Sequence, residues 1–170
     1  MLEWIALACL IGAIILLIAL AVIDLKTRLL PNEMVAGFAT LGLVFHLTTM
    51  AAIVPVQEIF IGGITGFGTM YIIRAIANRY YGQDALGLGD VKLIGAGGIW
   101  LGPASIMLAM SLGATASLFH GFGYAFLKKK KTGTMPDISQ LKIPAGPGFA
   151  VGIIVVGIIN FWGFYHMLGL

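Results

Sequence analysis

Long apolar runs separated by short polar breaks set the pattern of this chain. A membrane-crossing helix needs about 20 mostly apolar residues to cover roughly 30 Å of hydrocarbon. Trp4 to Ile23 meets this, and Met34 to Val54 meets it again with only His46 interrupting. Ile59 to about Ala77 predicts a third span, with Arg74 near one end where its side chain can snorkel to the headgroups. Phe149 to Leu168 predicts the last.

The middle of the chain needs a second criterion. Between Lys92 and Lys128 lie 35 residues without a formal charge, too many for one span and slightly few for two. All ten basic residues fall at Lys26 and Arg28, at Arg74, Arg79 and Lys92, at Lys128 to Lys131, and at Lys142. If Leu93 to Leu127 crosses twice, every one of them shares a side, which the positive-inside rule makes cytoplasmic. Gly102-Pro103 is the natural break, since glycine ends a helix and proline suits the first turn of the next. The fourth helix, Asp90 to about Leu101, is then short at about 18 Å, which suggests a recessed start; the fifth, Pro103 to Leu127, is long enough to tilt. The expected fold is all-α and polytopic, a single membrane-embedded domain over 1–170 with six transmembrane helices and both termini outside.

Composition agrees. Apolar residues make up 59% and charged residues 10%, against about 25% charged in soluble domains. The net charge of +3 needs no nucleic acid to explain it, because membrane proteins carry excess Lys and Arg for topology. The single Cys9 sits in an apolar run and excludes an internal disulfide or a Cys-based zinc cluster. No metal or cofactor is expected. The first apolar run has no basic residue ahead of it and is followed by Lys26 and Arg28, a stop-transfer pattern, so it is expected to persist as a helix.

Five of the seven acids fall on the cytoplasmic side of this topology: Asp24, Glu33, Asp84, Asp90 and Asp137. Two touch apolar helices directly. Asp24 follows Ile23 at the C-terminal end of helix one, where the helix dipole disfavours an anion. Pairing with Lys26 or Arg28 is its structural alternative. Asp90 opens helix four, where aspartate is a favoured N-cap. The Gly87-Leu88-Gly89 run before it permits tight turns and close approach of another chain, such as an extended substrate. Two carboxyl groups brought together in a low-dielectric site cannot both ionise, and the pair then offers a general base for water and a general acid for a leaving amine.

The segment Gly87-Leu88-Gly89-Asp90-Val91-Lys92-Leu93 resembles the Gly-x-Gly-Asp signature of type IV prepilin peptidases, with flanking similarity at Asp84-Ala85-Leu86 and Trp100-Leu101-Gly102. Asp24-Leu25-Lys26-Thr27-Arg28-Leu29-Leu30-Pro31-Asn32 resembles the family's first aspartate motif, and Ile143-Pro144-Ala145-Gly146-Pro147 its third. The resemblance implies an inner-membrane aspartyl endopeptidase that removes the short basic leader of prepilin or pseudopilin precursors on the cytoplasmic side, after a glycine preceding an apolar helix. Asp24 and Asp90 would be the catalytic acids, with Gly87, Gly89, Lys92, Pro31, Asn32, Pro144, Gly146 and Pro147 shaping the site. Lys92 faces away from Asp90 on a regular helix and is read as a membrane anchor or as electrostatic tuning. Larger members carry a Cys-x-x-Cys insert between the first two helices and also N-methylate the new terminus. Only Leu25 to Glu33 joins those helices here, which resembles the short peptidase-only form of Flp/Tad pilus systems, without methyltransferase activity. Archaeal preflagellin peptidases share the plan, so the precursor stays open, as does a homo-oligomeric state.

His46, His120 and the helix-borne glycines Gly62, Gly63, Gly66, Gly68, Gly95, Gly97 and Gly98 are expected to serve helix packing. Lys128 to Lys131 would anchor topology and attract anionic lipid headgroups. The rival functions are a small proton- or cation-coupled transporter using Asp24 and Asp90, and a scaffold for pilus assembly. Transporter sites usually lie near the bilayer midplane on broken helices, whereas these aspartates fall at helix ends.

Overall fold

A computed structural model describes residues 2–84, 86–132 and 145–167. They form five helices: α1 (Leu2–Thr27), α2 (Asn32–Thr48), α3 (Val56–Tyr81), α4 (Leu88–Thr132) and α5 (Gly146–Met167). No strand occurs among the described residues. Helices α1 and α3, Leu88–Gly123 of α4 and Gly146–Gly163 of α5 are long and apolar enough to cross a membrane. Burial is inverted relative to a water-soluble protein. Trp4, Ile15, Phe60, Ile64, Ile76, Leu118 and Ile159 each expose more than half their surface, an arrangement that water would oppose by about 25 cal/mol for every Å² and that lipid accepts. The chain is a multi-pass membrane protein.

Six separate spans are not what the structure contains. Helix α2 is 17 residues long and ends six residues before the apolar run does. A Schellman turn closes it: the Met50 N–H bonds the Leu47 carbonyl at 3.3 Å and the Ala51 N–H the His46 carbonyl at 2.7 Å. Met50 takes the left-handed position at φ 51, ordinarily a glycine slot.

The expected fourth and fifth helices run on from one another as α4, with a break inside it. Gly102 is non-helical at φ 77, ψ 174, and Pro103 follows. A Cβ built on Gly66 of α3 would lie 2.7 Å from the Ile94 carbonyl oxygen and 3.2 Å from Ile106 Cγ1. On a straight helix those two residues would be about 18 Å apart, so the chain doubles back at Gly102 as two antiparallel arms, 88–101 and 103–132. The first arm forms the centre. It packs against α3, α2 and α5, and α1 closes the far side against α2 and α5.

Each neighbour fits the central arm for a specific reason. A Cβ on Gly98 would collide with the Gly62 carbonyl oxygen, so the α3–α4 contact is backbone on backbone. Trp100 stacks with Phe38 and donates its indole N–H to the Phe38 carbonyl at 2.8 Å. Pro103 has no N–H to offer the Ile99 carbonyl, its helical partner four residues back. His46 Nε2 lies 3.0 Å from that oxygen, so the buried histidine compensates for the proline that makes the hairpin. Positive φ with extended ψ at Gly102 is a conformation that side chains resist by roughly 1–3 kcal/mol. Gly102→Ala is therefore expected to lower stability by about that amount, read as a fall in the thermal midpoint of the detergent-solubilised protein; an unchanged midpoint would argue against the hairpin.

Candidate active site

Asp24, His46 and Asp90 are the buried polar side chains among the described residues. His46 belongs to the hairpin; the two aspartates lie at the other end of the bundle. Helix α1 carries Asp24 in its last turn and ends with Arg28 at φ 55, whose N–H bonds the Asp24 carbonyl at 2.9 Å. The Asp24 side chain turns inward, only 6% exposed. Its Oδ2 accepts the Gly146 N–H at 3.1 Å, at the first turn of α5. The positive end of α5 thus faces the carboxylate and answers the unfavourable end of α1. Neither Lys26 nor Arg28 forms an ion pair with it; Arg74–Asp84 is the one ion pair among the described residues.

Asp90 is placed differently from the expectation. Helix α4 begins at Leu88, so Asp90 is not the N-cap but the third residue of the first turn. There its carboxylate packs back against Gly87, in the position that the acid of a capping box takes. The residue is 8% exposed. Its Oδ1 is buried without a hydrogen-bond partner. Asp24 and Asp90 are near enough for the charge on one to act on the other.

The two glycines of the motif open space for this protein's own groups. A Cβ on Gly87 would lie 3.2 Å from Asp90 Oδ2, and one on Gly89 would lie 2.8 Å from Leu30 Cβ. The clearance read from sequence as room for a substrate strand is filled by Asp90 itself and by the α1–α2 loop. Pro31 precedes α2 at φ −61, ψ 128, and Asn32 Oδ1 accepts a hydrogen bond from Lys92 Nζ at 2.8 Å. Lys92 thereby ties the first motif to the second on the face of α4 away from Asp90. Gly146 and Pro147 lie in the first turn of α5. Asp137, Lys142 and Pro144 fall outside the described residues.

Arg74 and Asn78 were invisible as site residues from sequence. Arg74 Nε donates to the Leu86 carbonyl and its Nη2 to Asp84 Oδ1, both at 3.0 Å. Asn78 joins the same Asp84 oxygen at 2.9 Å. The (i, i+4) spacing of Arg74 and Asn78 on α3 is the signal that could have found them.

Gly146 is the most sensitive contact. A Cβ there would lie 2.6 Å from Asp24 Oδ2, and the group able to yield is the carboxylate rather than backbone. Gly146→Ala is expected to leave folding nearly intact while displacing Asp24, lowering kcat by on the order of 10²-fold. Activity close to that of the unaltered protein would show that Asp24 tolerates displacement.

Among the described residues no cluster of His, Cys, Asp and Glu could hold a metal ion. The arrangement is two buried carboxyl groups, Asp24 and Asp90, each near a helix N-terminus. Comparison with known proteins agrees with its motifs. The model of the Type IV leader peptidase family matches residues 4–122. The prepilin leader peptidase/N-methyltransferase of Pectobacterium carotovorum is 30% identical over 162 residues, covering 94% of this chain and 55% of its own length. Its counterpart in Neisseria gonorrhoeae is 34% identical over 123 residues, covering 68% of this chain and 41% of its own. A type 4 prepilin-like proteins leader peptide-processing enzyme of Escherichia coli is 33% identical over 120 residues, covering 71% and 43%. The chain spans about half the length of the curated relatives it matches. No solved structure matches it. On the family match across most of its length, this chain belongs to the Type IV leader peptidase family.

Proposed function

We propose that this chain is an aspartyl endopeptidase of the inner membrane that removes the short basic leader of prepilin-like precursors at the cytoplasmic face, with Asp24 and Asp90 as its catalytic acids. One observation carries the reading. Carboxyl groups from α1 and α4, 66 positions apart in sequence, are both buried, close enough for their charges to interact, and one Asp90 oxygen has no protein partner. A carboxylate serving only as a helix cap has no need of the second acid beside it.

In the proposed cycle one carboxylate takes a proton from a water molecule whose oxygen attacks the scissile carbonyl. The other, protonated, gives its proton to the departing amine nitrogen as the C–N bond breaks. The pair ends the turnover one proton exchanged and ready to repeat, and such transfers supply roughly 10²–10⁴-fold each. The Gly146 N–H orients Asp24, and Asp90 packs back against Gly87. The substrate segment has to be unwound, because a helical amide is occupied by its own hydrogen bonds.

The hairpin in α4 supports the finer topology. Its two arms return the chain to the level of Asp24, so the basic residues flanking the site share one side, the cytoplasm by the positive-inside rule. The short peptidase-only form, without methyl transfer, fits a single cysteine. Prepilin or pseudopilin precursors and membrane lipid are its proposed partners. The transporter reading gains nothing from a carboxyl pair at helix ends rather than at the midplane.

The test is reconstitution in liposomes with a synthetic precursor made of a basic leader, a glycine and an apolar helix. Release of the leader after that glycine is expected. Proton or cation flux without any leader release would sink the peptidase and favour the transporter.

A further inference from the structure

Arg74 lies on α3, one turn from Asn78 on the same helix face. Together they grip the segment that leads into Asp90. The Leu86 carbonyl accepts from Arg74 Nε at 3.0 Å, and the Leu86 N–H donates to Asn78 Oδ1 at 3.4 Å. Both backbone polar groups of Leu86 are thus held by α3. Asp84 Oδ1 braces the grip by accepting from Arg74 Nη2 and Asn78 Nδ2.

The peptide unit makes this more than loop anchoring. The Leu86 carbonyl and the Gly87 N–H belong to one planar group and point in opposite directions. Arg74 holds the carbonyl end. The other end of the plane faces Asp90, whose Oδ2 lies 3.2 Å from the Gly87 Cβ position. Fixing one end of a rigid plane fixes the other. A guanidinium on the carbonyl also polarises the peptide and strengthens its N–H as a donor.

We infer that Arg74, braced by Asn78 and Asp84, is a positioning residue that orients the Leu86–Gly87 peptide and through it the Asp90 carboxylate. The inference rests on the peptidase reading above. Folding alone is a weak explanation for the arrangement. The Asp84 side chain is 82% exposed, and ion pairs that open to solvent contribute little. The bond that matters for the site is the one from Nε to Leu86, which a lysine cannot reproduce together with the bond to Asp84.

The experiment compares Arg74→Gln, Arg74→Lys and Asp84→Asn with the unaltered protein, reading precursor cleavage and backbone amide hydrogen exchange across residues 86–90. Both Arg74 variants are expected to lose roughly 10- to 100-fold in kcat with KM within twofold, and to exchange the Gly87 amide faster. Asp84→Asn keeps an acceptor oxygen and is expected to stay within a few-fold of normal. A kcat within twofold of normal in Arg74→Gln overturns the inference, whatever its exchange does. A rise in KM alone overturns it too, since Arg74 would then be touching substrate. If Arg74→Gln does not fold, Arg74→Lys decides by the same criteria. Absence of cleavage by the unaltered protein sinks the peptidase reading itself, and the exchange data then show separately whether Arg74 holds the peptide.

Discussion

Asp24→Asn and Asp90→Asn are each expected to lower kcat for leader removal by roughly 10³-fold, within the range for loss of a general acid or base, with little change in KM or thermal midpoint. Asparagine keeps the shape of aspartate and, at position 24, an oxygen that can accept the Gly146 N–H. It cannot take up or deliver a proton at working pH. Folding and substrate docking should survive while proton transfer fails, which is the pattern of an interaction made only in the transition state. The readout is single-turnover cleavage of the synthetic precursor with enzyme in excess. Either variant retaining a tenth or more of normal kcat would remove that aspartate from the chemistry.

The largest effect on stability is expected at Gly98. A Cβ there would overlap the Gly62 carbonyl oxygen and lie 2.9 Å from the Gly63 backbone nitrogen. Neither atom can swing aside as a side chain does, so α3 must move. Overpacking of this kind costs typically 1–3 kcal/mol, and Gly98→Val is expected at the upper end, about 3 kcal/mol. Gly68 is the matched control on α3. Nothing lies within 4 Å of its Cβ position, and replacing a helical glycine by alanine gains up to about 1 kcal/mol. Thermal or denaturant unfolding in micelles should therefore move in opposite directions for Gly98→Val and Gly68→Ala. Equal midpoints for the two would show that α3 and α4 do not meet backbone to backbone. Because α3 also carries Arg74, Gly98→Val should depress activity as well.

Apolar runs made most of the helices legible, since each of α1, α3 and α5 grows from a stretch that lipid requires to be continuous. The ends were less so. Helix α2 stops at Thr48 because Met50 adopts a left-handed turn, and no local signal marks a non-glycine residue for that role. The reversal at Gly102-Pro103 was readable from residue type alone. That His46 would compensate it was not, because His46 and Ile99 are 53 positions apart.

The motif residues were legible too, but their geometry was not. Asp24 looked misplaced at the end of α1 only because its partner, Gly146, is 122 positions away. Asp90 looked like an N-cap because the helix boundary was set two residues late. Gly89 looked like room for a substrate, yet Leu30 fills that room. In each case local propensity identified an unusual residue, and long-range packing decided what it touches.

The central claim is that Asp24 and Asp90 act as one unit, and the most direct test is the single-turnover cleavage rate of the double variant Asp24→Asn/Asp90→Asn beside the two single variants. Residues sharing one proton-transfer cycle are strongly non-additive. The account predicts that the double variant is no slower than the slower single variant. Losses that multiply, with the double variant falling by the product of the two single effects, would contradict it.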